Sequence, residues 1–352
     1  MSDQRLKRCS TRHGFALFLV LWVLMFLSVV VGQFCYAMRT ELNIAANFKE
    51  ESQAYYTARA GLCQGLKMVI ENERRPHDLA RLREDETLVE DEGEMSQGLR
   101  LDVELPSEPF GRGRYVLKIG NESGKVNINQ AGDELLRMLL DAFDLEDSDK
   151  DVIVDSIQDW RDEDDLHRVN GAESDYYQGM RPPYDAKNGP FDSIDELLLV
   201  KGVTPELFYG GLKDLVTVYP LDQGGTQPRR GPMRIASMRF GARRGGSGIN
   251  INAASPQMLR ALPEMTPELV EAILEYRKDG NFLAESDIVA VVGPDVYRAI
   301  QPYVSTQLNP YYTITAGGLL PDSLVRQTVE MLVEVNPAYP KQYRIVRWID
   351  GK

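Results

Sequence analysis

Cysteine and histidine are scarce in this sequence of 352 residues, three of each. Of Cys9, Cys35 and Cys63, only Cys63 lies beyond the apolar N-terminal stretch, so no disulfide framework can hold the rest of the chain together. His13, His77 and His167 are too scattered to form a zinc site. Basic charge is also short, the formal balance being −13. That acidity argues against nucleic acid as the main partner, because phosphate binding needs a basic footprint, and it suits divalent cations. A catalytic constellation is missing too: the carboxylates have no nucleophile, histidine dyad or glycine-rich anion cradle beside them. Gly120 to Lys125 is one residue short of a phosphate loop, and Val126 stands where Ser or Thr would hold magnesium. The expectation is a protein that is not an enzyme.

What is present begins with Phe15 to Met38, a stretch without a charge and apolar nearly throughout. Roughly 20 apolar residues as a helix cross a bilayer core, so this segment is long enough to span. Arg5, Lys7, Arg8 and Arg12 precede it against Asp3 alone, which places the N-terminus in the cytoplasm and the remainder across the membrane. A cleaved secretory signal would have a shorter core followed by small residues, and no such site follows.

The junction Arg12-His13-Gly14-Phe15 resembles a type IV prepilin leader, which implies cleavage by prepilin peptidase between Gly14 and Phe15. Loss of that leader, with four basic residues and one acidic, takes the charge from −13 to −16. Pilin-like subunits usually carry Glu five residues after the cut; here that position is Leu19. A buried charge is costly unless paired, so a subunit without the carboxylate needs no neighbour there, which suits the tip of a filament.

From Glu41, Ile44, Phe48, Tyr55, Ala58, Leu62, Leu66 and Val69 recur at helical steps between charged residues, and Pro76 follows the expected end of this amphipathic helix. Asp78 to Gln97 reads as a charged loop. Leu99, Leu101, Val103 and Leu105 alternate with Arg100, Asp102 and Glu104, which predicts a half-buried strand. A turn over Pro106 to Gly113 and a strand from Tyr115 to Ile119 complete an expected hairpin. Near the C-terminus, strands are expected over Tyr311 to Ala316 (ending at Gly317-Gly318), Val329 to Val335 and Tyr343 to Ile349. Strands on either side of a helical block imply one sheet with a large helical insertion.

Within that block the sequence repeats. Gly124-Lys125-Val126-Asn127-Ile128-Asn129-Gln130-Ala131 echoes Gly248-Ile249-Asn250-Ile251-Asn252-Ala253-Ala254, and Phe191-Asp192-Ser193-Ile194-Asp195-Glu196-Leu197 parallels Phe282 to Ile288. Each copy runs on to a glycine, Gly202 or Gly293, so two related helical units are expected. They resemble helix-hairpin-helix modules. The DNA-binding form needs a glycine-containing hairpin whose amides meet a phosphate, whereas Pro263-Glu264-Met265-Thr266-Pro267 offers a carboxylate, so the units read as scaffold. Residues 221–247, rich in glycine and arginine, read as a flexible basic linker, with contact to an acidic partner subunit as a second reading.

The richest chemistry is Asp159-Trp160-Arg161-Asp162-Glu163-Asp164-Asp165, followed by Gly171-Ala172-Glu173-Ser174-Asp175. Carboxylates this close repel unless separated by solvent or neutralised by a cation. Hard oxygen ligands at alternating positions fit Ca²⁺. The spacing is not that of an EF-hand, since its sixth-position glycine and twelfth-position glutamate are out of register. A solvated acidic face is the alternative, but Trp160, Tyr176, Tyr177 and Pro182-Pro183 point to an ordered loop.

Several spaced motifs together resemble the type II secretion system protein K family, also called general secretion pathway protein K, of minor pseudopilins. They are the Gly14-Phe15 junction with Leu19, Lys125 to Asn129, Asp159-Trp160-x-Asp162-x-Asp164, Gly171-Ala172-Glu173, Pro182-Pro183-Tyr184, Asn188-Gly189-Pro190-Phe191, Asp195-Glu196-Leu197 and Tyr343 to Trp348. The resemblance implies an α+β protein: an N-terminal transmembrane and spine helix, then a pilin-like domain with an antiparallel sheet, interrupted by an α-helical insertion of helix-hairpin-helix or SAM-like type. On this chain the expected divisions are a leader at 1–14, a membrane span at 15–38, a spine at 39–75, pilin-like parts at 76–128 and 307–352, and the insertion at 129–306. It also implies bound calcium, with Asp159, Asp162, Asp164, Glu173 and Asp175 as ligands. Arg161 departs from the apolar residue expected beside the tryptophan and would pair with one carboxylate. The implied partners are minor pseudopilins I and J, the major pseudopilin and prepilin peptidase, at a pseudopilus tip, with the chain a single-pass inner-membrane protein whose C-terminal domain is periplasmic. The competing class is a membrane-anchored, pilin-like nucleic-acid-binding protein of a DNA-uptake system.

Overall fold

A computed structural model describes residues 13–84, 99–220, 248–321 and 323–351, with side chains from residue 15, and through residue 74 in the first helix. The basic leader residues and the 221–247 linker therefore lie outside the described residues. Helix α1, His13–Glu84, is 72 residues long. Its apolar part is exposed from Phe15 onward, and none of that stretch is buried against the rest of the chain. The Ser28 hydroxyl donates to the Leu24 carbonyl at 2.8 Å, which satisfies it within the helix, as an apolar surrounding requires. The spine does not stop near Pro76 as the sequence predicted. The proline costs one backbone hydrogen bond, and the good helix formers around Leu79 to Arg83 continue the helix to Glu84. The predicted loop is therefore helical over 78–84; its part from 85 to 97 lies outside the described residues.

From Ala54 the helix buries one face made of small residues. Ala54, Ala58 and Leu62 are buried, and a Cβ on Gly61 or Gly65 would meet Tyr115 or Ile314 at 2.9 and 2.7 Å. Small side chains let the helix axis approach the sheet closely, and Val69 closes the same stripe. Cys63 faces solvent.

The sheet consists of β1, Glu104–Phe110, β2, Gly113–Asn121, β7, Tyr311–Leu319, β8, Arg326–Val335, and β9, Tyr343–Asp350; short pairs β3 to β6 lie between β2 and β7 in the chain. Its order is β1-β2-β7-β8-β9, antiparallel throughout. The strand predicted over Leu99 to Leu105 starts only at Glu104. Leu99 and Leu101 are buried as the alternation implied, but Asp102 adopts φ 56°, its amide donates to the Ile119 carbonyl at 2.7 Å, and its carboxylate meets Lys118 at 2.6 Å. The strand then runs through Pro106 and Pro109, read as a turn. Proline is tolerated there because β1 is an edge, where one side of the ladder needs no donor. The turn itself is at Gly111.

Gly317-Gly318 does not end its strand either. A Cβ on Gly318 would collide with the Ala54 carbonyl oxygen, so the glycine is needed for close approach of α1 rather than for a bend. On β8, Glu330 and Glu334 are buried and meet Arg347 at 3.2 Å and Arg344 at 2.6 Å on β9. Those pairs settle two carboxylates within the apolar stretch Val329 to Val335.

The chain leaves the sheet after Asn121, before the predicted boundary at 128/129, and re-enters at Tyr311. The two crossings are clasped: Asn121 Nδ2 donates to the Asn309 carbonyl at 2.8 Å, and the Asn309 amide donates to Asn121 Oδ1 at 3.2 Å. Between them lie the two units, each opened and closed by a short parallel pair that the sequence did not announce. In the first, β3, Val126–Asn127, pairs with β4, Val216–Thr217. In the second, β5, Ile249–Asn250, pairs with β6, Val304–Ser305. The first unit holds α2, Asp133–Leu140, α3, Asp147–Arg161, and α4, Ser174–Gln178; the second holds α5, Pro256–Ala261, α6, Pro267–Asp279, α7, Glu285–Val292, and α8, Pro294–Ile300.

The asparagines explain the repeated motif. Asn129 exchanges two hydrogen bonds with the Phe191 backbone at 2.9 and 2.7 Å, and Asn252 does the same with Phe282 at 2.9 and 2.8 Å. An arginine then locks each turn: Arg161 donates to the Ile128 and Ala131 carbonyls, and Arg277 to those of Ile251 and Ala254. Trp160 lies over Phe191, and Tyr276 over Phe282, so the two units make matching contacts around this lock. They differ most at one place. Residues 162–190 separate Arg161 from Phe191, whereas only 278–281 separate Arg277 from Phe282. The acidic loop is the extra segment.

Candidate metal centre

Helix α3 carries Asp159 and Trp160 in its last turn, and Asp162 caps its end, its amide donating to the Gln158 carbonyl at 3.1 Å. The loop then folds back over the indole. Trp160 contacts the rings of Tyr177, Tyr184 and Phe191 at centroid distances of 5.2, 6.4 and 6.3 Å. Tyr177 is fully buried, and its hydroxyl accepts from the Lys201 amide at 3.2 Å. This aromatic root, foreseen from the flanking aromatics, keeps the acidic segment ordered and brings its two ends together.

At the crossing, Asp162, Asp164 and Glu173 each offer a carboxylate oxygen, all within 4.8 Å of one another. Glu173 is 2% exposed, yet neither of its oxygens has a hydrogen-bond partner. Asp162 Oδ1 and Asn188 Oδ1 are likewise buried without a partner. Burial pushes the Glu173 carboxyl up to about 7, with the charges of Asp159, Asp162 and Asp165 adding to the effect. Asp162 is raised too, by burial first and then by Asp164. Buried carboxylates with orphaned oxygens are costly, and a hard cation removes that cost by supplying what each oxygen lacks. The donor set, three converging carboxylates, fits Ca²⁺.

Two of the five predicted ligands sit elsewhere. Asp159 is fully buried, but its carboxylate accepts the Arg168 amide at 3.3 and 3.2 Å and the Ala172 amide, and it is outside the converging trio. Asp175 points away and meets His167 Nε2 at 3.0 Å on the surface. The expectation for Arg161 is also corrected. Its guanidinium does not hydrogen-bond to a carboxylate of the cluster; it turns to the carbonyls of Ile128 and Ala131 and to Gln158 Oε1, because it belongs to the repeat's lock. Sequence reasoning missed Asn188. Its signal was the Asn-Gly pair: Asn188 has φ 47°, and its Nδ2 donates to Asp165 Oδ1 at 2.8 Å and to the Asp164 carbonyl at 3.3 Å, tying the loop ends together.

Of the predicted cleavage pair, Gly14 lies in the first turn of α1 and Phe15 is 72% exposed. Among the described residues, α1 is the one helix long and apolar enough to cross a membrane. The hairpins offer little to a phosphate. In the second unit Glu264 occupies the turn at φ 59°. In the first, Gly202 packs on Ile153, the Val203 amide is bonded to Val200, and the Lys201 amide to Tyr177.

Residues 116–221 match the family described as Type II secretion system (T2SS), protein K. Over that stretch the chain is similar to that family. Residues 245–305 match the helix-hairpin-helix motif, which coincides with the second unit. Two proteins named Type II secretion system protein K are each 26% identical to the chain. The one from Aeromonas hydrophila aligns over 61% of this chain and 66% of its own length, and the one from Pseudomonas aeruginosa over 78% and 75%. The chain thus spans just under two thirds of the first and three quarters of the second. A putative protein K from Escherichia coli K12 is 41% identical over 20% of the chain. The fold is similar to a chain in the crystal structure of the GspK-GspI-GspJ complex from the enterotoxigenic Escherichia coli type 2 secretion system. That match has TM-score 0.50 and 17% identity, and covers 88% of this chain and 99% of that one. Its N-terminal apolar helix is long enough to anchor the chain in a membrane.

Proposed function

We propose that this chain is a minor pseudopilin of a type II secretion system, acting without enzymatic activity at the tip of a periplasmic pseudopilus and helping to start its assembly. The observation that carries this reading is α1. Its first part is apolar and wholly exposed, and its continuation packs on an antiparallel sheet through Ala54, Ala58, Gly61 and Gly65. Such a helix anchors in the inner membrane as a single span and leaves the sheet and helical units in the periplasm. Prepilin peptidase would cut between Gly14 and Phe15, and Leu19 removes the buried charge that would demand a neighbour above. The partners are minor pseudopilins I and J of the same system and then the major pseudopilin; the related complex, in which a GspK chain sits with GspI and GspJ, supports the first two. Nucleic acid is not a partner in this reading.

Asp162, Asp164 and Glu173 would hold Ca²⁺, with Asn188 Oδ1 as a further oxygen donor. The ion supplies charge neutralisation to a loop that otherwise crowds buried carboxylates. Within the loop, Trp160 and Tyr177 fix its root, and Asn188 ties its two ends. The test is deletion in the source bacterium. Export of folded proteins to the medium should stop, return with the wild-type chain, and return poorly with Asp162→Ala/Glu173→Ala. Undiminished export after deletion would refute the assignment.

A further inference from the structure

The duplicated units give Asp159 a counterpart. Trp160-Arg161 and Tyr276-Arg277 make the same stacking and carbonyl contacts, so Asp159 corresponds to Glu275. Glu275 is exposed and pairs with Lys278 on the surface of α6, in the unit without the extra loop. Asp159, in the unit that has the loop, is fully buried. Its oxygens take the amides of Arg168 and Ala172, on the stretch that returns toward the cluster, and Gly171 lies so close that a Cβ there would collide with Asp159 Oδ2. Glu173 follows directly. The Asn170 amide is held by Asp155 at 3.1 Å, one helical turn earlier, so the end of α3 grips this stretch twice.

We propose that Asp159 is a positioning residue rather than a metal ligand: by accepting the Arg168 and Ala172 amides it builds the turn that carries Glu173 into reach of Asp162 and Asp164, before any cation arrives. The inference rests on the metal reading above for its purpose, but its geometry does not need the ion. A carboxylate that already accepts two backbone amides has fewer lone pairs left for a cation than Glu173, neither of whose oxygens has a hydrogen-bond partner. Partners that orient ligands in this way commonly govern affinity, their loss costing about 10–100-fold.

The test uses the full chain in detergent and reads two quantities: amide hydrogen exchange in EDTA, and Ca²⁺ affinity by calorimetry. In EDTA the Arg168 and Ala172 amides should be protected in the wild type and in Asp162→Asn, and unprotected in Asp159→Ala. Calcium affinity should fall about 10–100-fold in Asp159→Ala, and further in Asp162→Asn. Asp159→Asn, which retains one acceptor oxygen, should lose less than either. Gly171→Ala, which displaces Asp159 without removing it, should reproduce Asp159→Ala in both readouts. If Asp159→Asn weakens Ca²⁺ as much as Asp162→Asn while the two amides stay protected, Asp159 is a ligand and the proposal falls. It falls too if those amides exchange freely in the metal-free wild type. Absence of Ca²⁺ binding in the wild type would instead overturn the metal reading, and the exchange data would then report on the Asp159 turn by itself.

Discussion

Removing the cation should make stability depend on pH in a direction set by Glu173. Its carboxyl is raised from 4.5 to about 7 in the folded metal-free chain, chiefly by burial. A group raised on folding stabilises fully below its unfolded value and loses that contribution as pH climbs through the folded one. In EDTA, stability should therefore fall between about pH 4.5 and pH 7, then level off. At 1.36 kcal/mol per unit the loss is about 3 kcal/mol, or roughly 6–12 °C in Tm for a folded region of this size. Saturating Ca²⁺ should abolish the slope, because the ion holds the carboxylate in its charged form; a hundredfold excess over Kd adds about 2.7 kcal/mol. Glu173→Gln should separate the two effects. The variant should be more stable than wild type in EDTA at pH 8, flat from pH 5 to 8, and insensitive to calcium. Thermal unfolding followed by circular dichroism, with EDTA and with graded Ca²⁺, is sufficient. Stability that is flat with pH in the wild type in EDTA, or a Glu173→Gln variant weaker than wild type there, would refute the reasoning.

Other outcomes follow from the packing. Gly318→Ala places a methyl against the Ala54 carbonyl and should cost about 1–3 kcal/mol by forcing α1 off the sheet; the same change at Gly317, where a Cβ meets nothing within 4 Å, should be milder in chemical denaturation. Arg277→Ala strands two buried carbonyls and should cost about 1–3 kcal/mol or more. Arg161→Ala should destabilise its own unit similarly while leaving intact the carboxylate trio, so Ca²⁺ affinity, read by calorimetry at a temperature where the variant is folded, should change far less than in Asp162→Asn. Trp160→Ala empties the aromatic root and should cost about 3–5 kcal/mol, with the Tm rise on adding calcium reduced.

The elements that reveal themselves along the chain were readable from it. The apolar span, the stripe through Ala58, Leu62 and Val69, and the paired Asn-x-Asn motifs carry local periodicity or repetition, and each appears in the structure as a helix, a packed face or a matched turn. What failed was set by contacts distant in sequence. The alternation of Leu99 to Leu105 records burial correctly but not the single left-handed residue, Asp102, that keeps the segment out of the sheet. Gly317-Gly318 reads locally as a break, and only the arrival of α1, more than 250 residues earlier in the chain, explains Gly318 as close approach. In the acidic loop five carboxylates close in sequence were divided by three-dimensional folding: three converge, one grips backbone amides, one meets a surface histidine. Asn188 was noted only within a motif and not as a donor, because a neutral side chain leaves no mark in a charge pattern. Arg161 was misjudged because its role belongs to the repeat and shows only beside Arg277.

The central claim, that this chain works as a minor pseudopilin, is tested most directly by co-expressing the full chain with minor pseudopilins I and J of the same system. The detergent-solubilised product would then be weighed by native mass spectrometry. The account predicts a stoichiometric assembly of the three, with the mature chain starting at Phe15 when prepilin peptidase is present. A chain that remains alone at every concentration, with I and J pairing without it, would contradict the account.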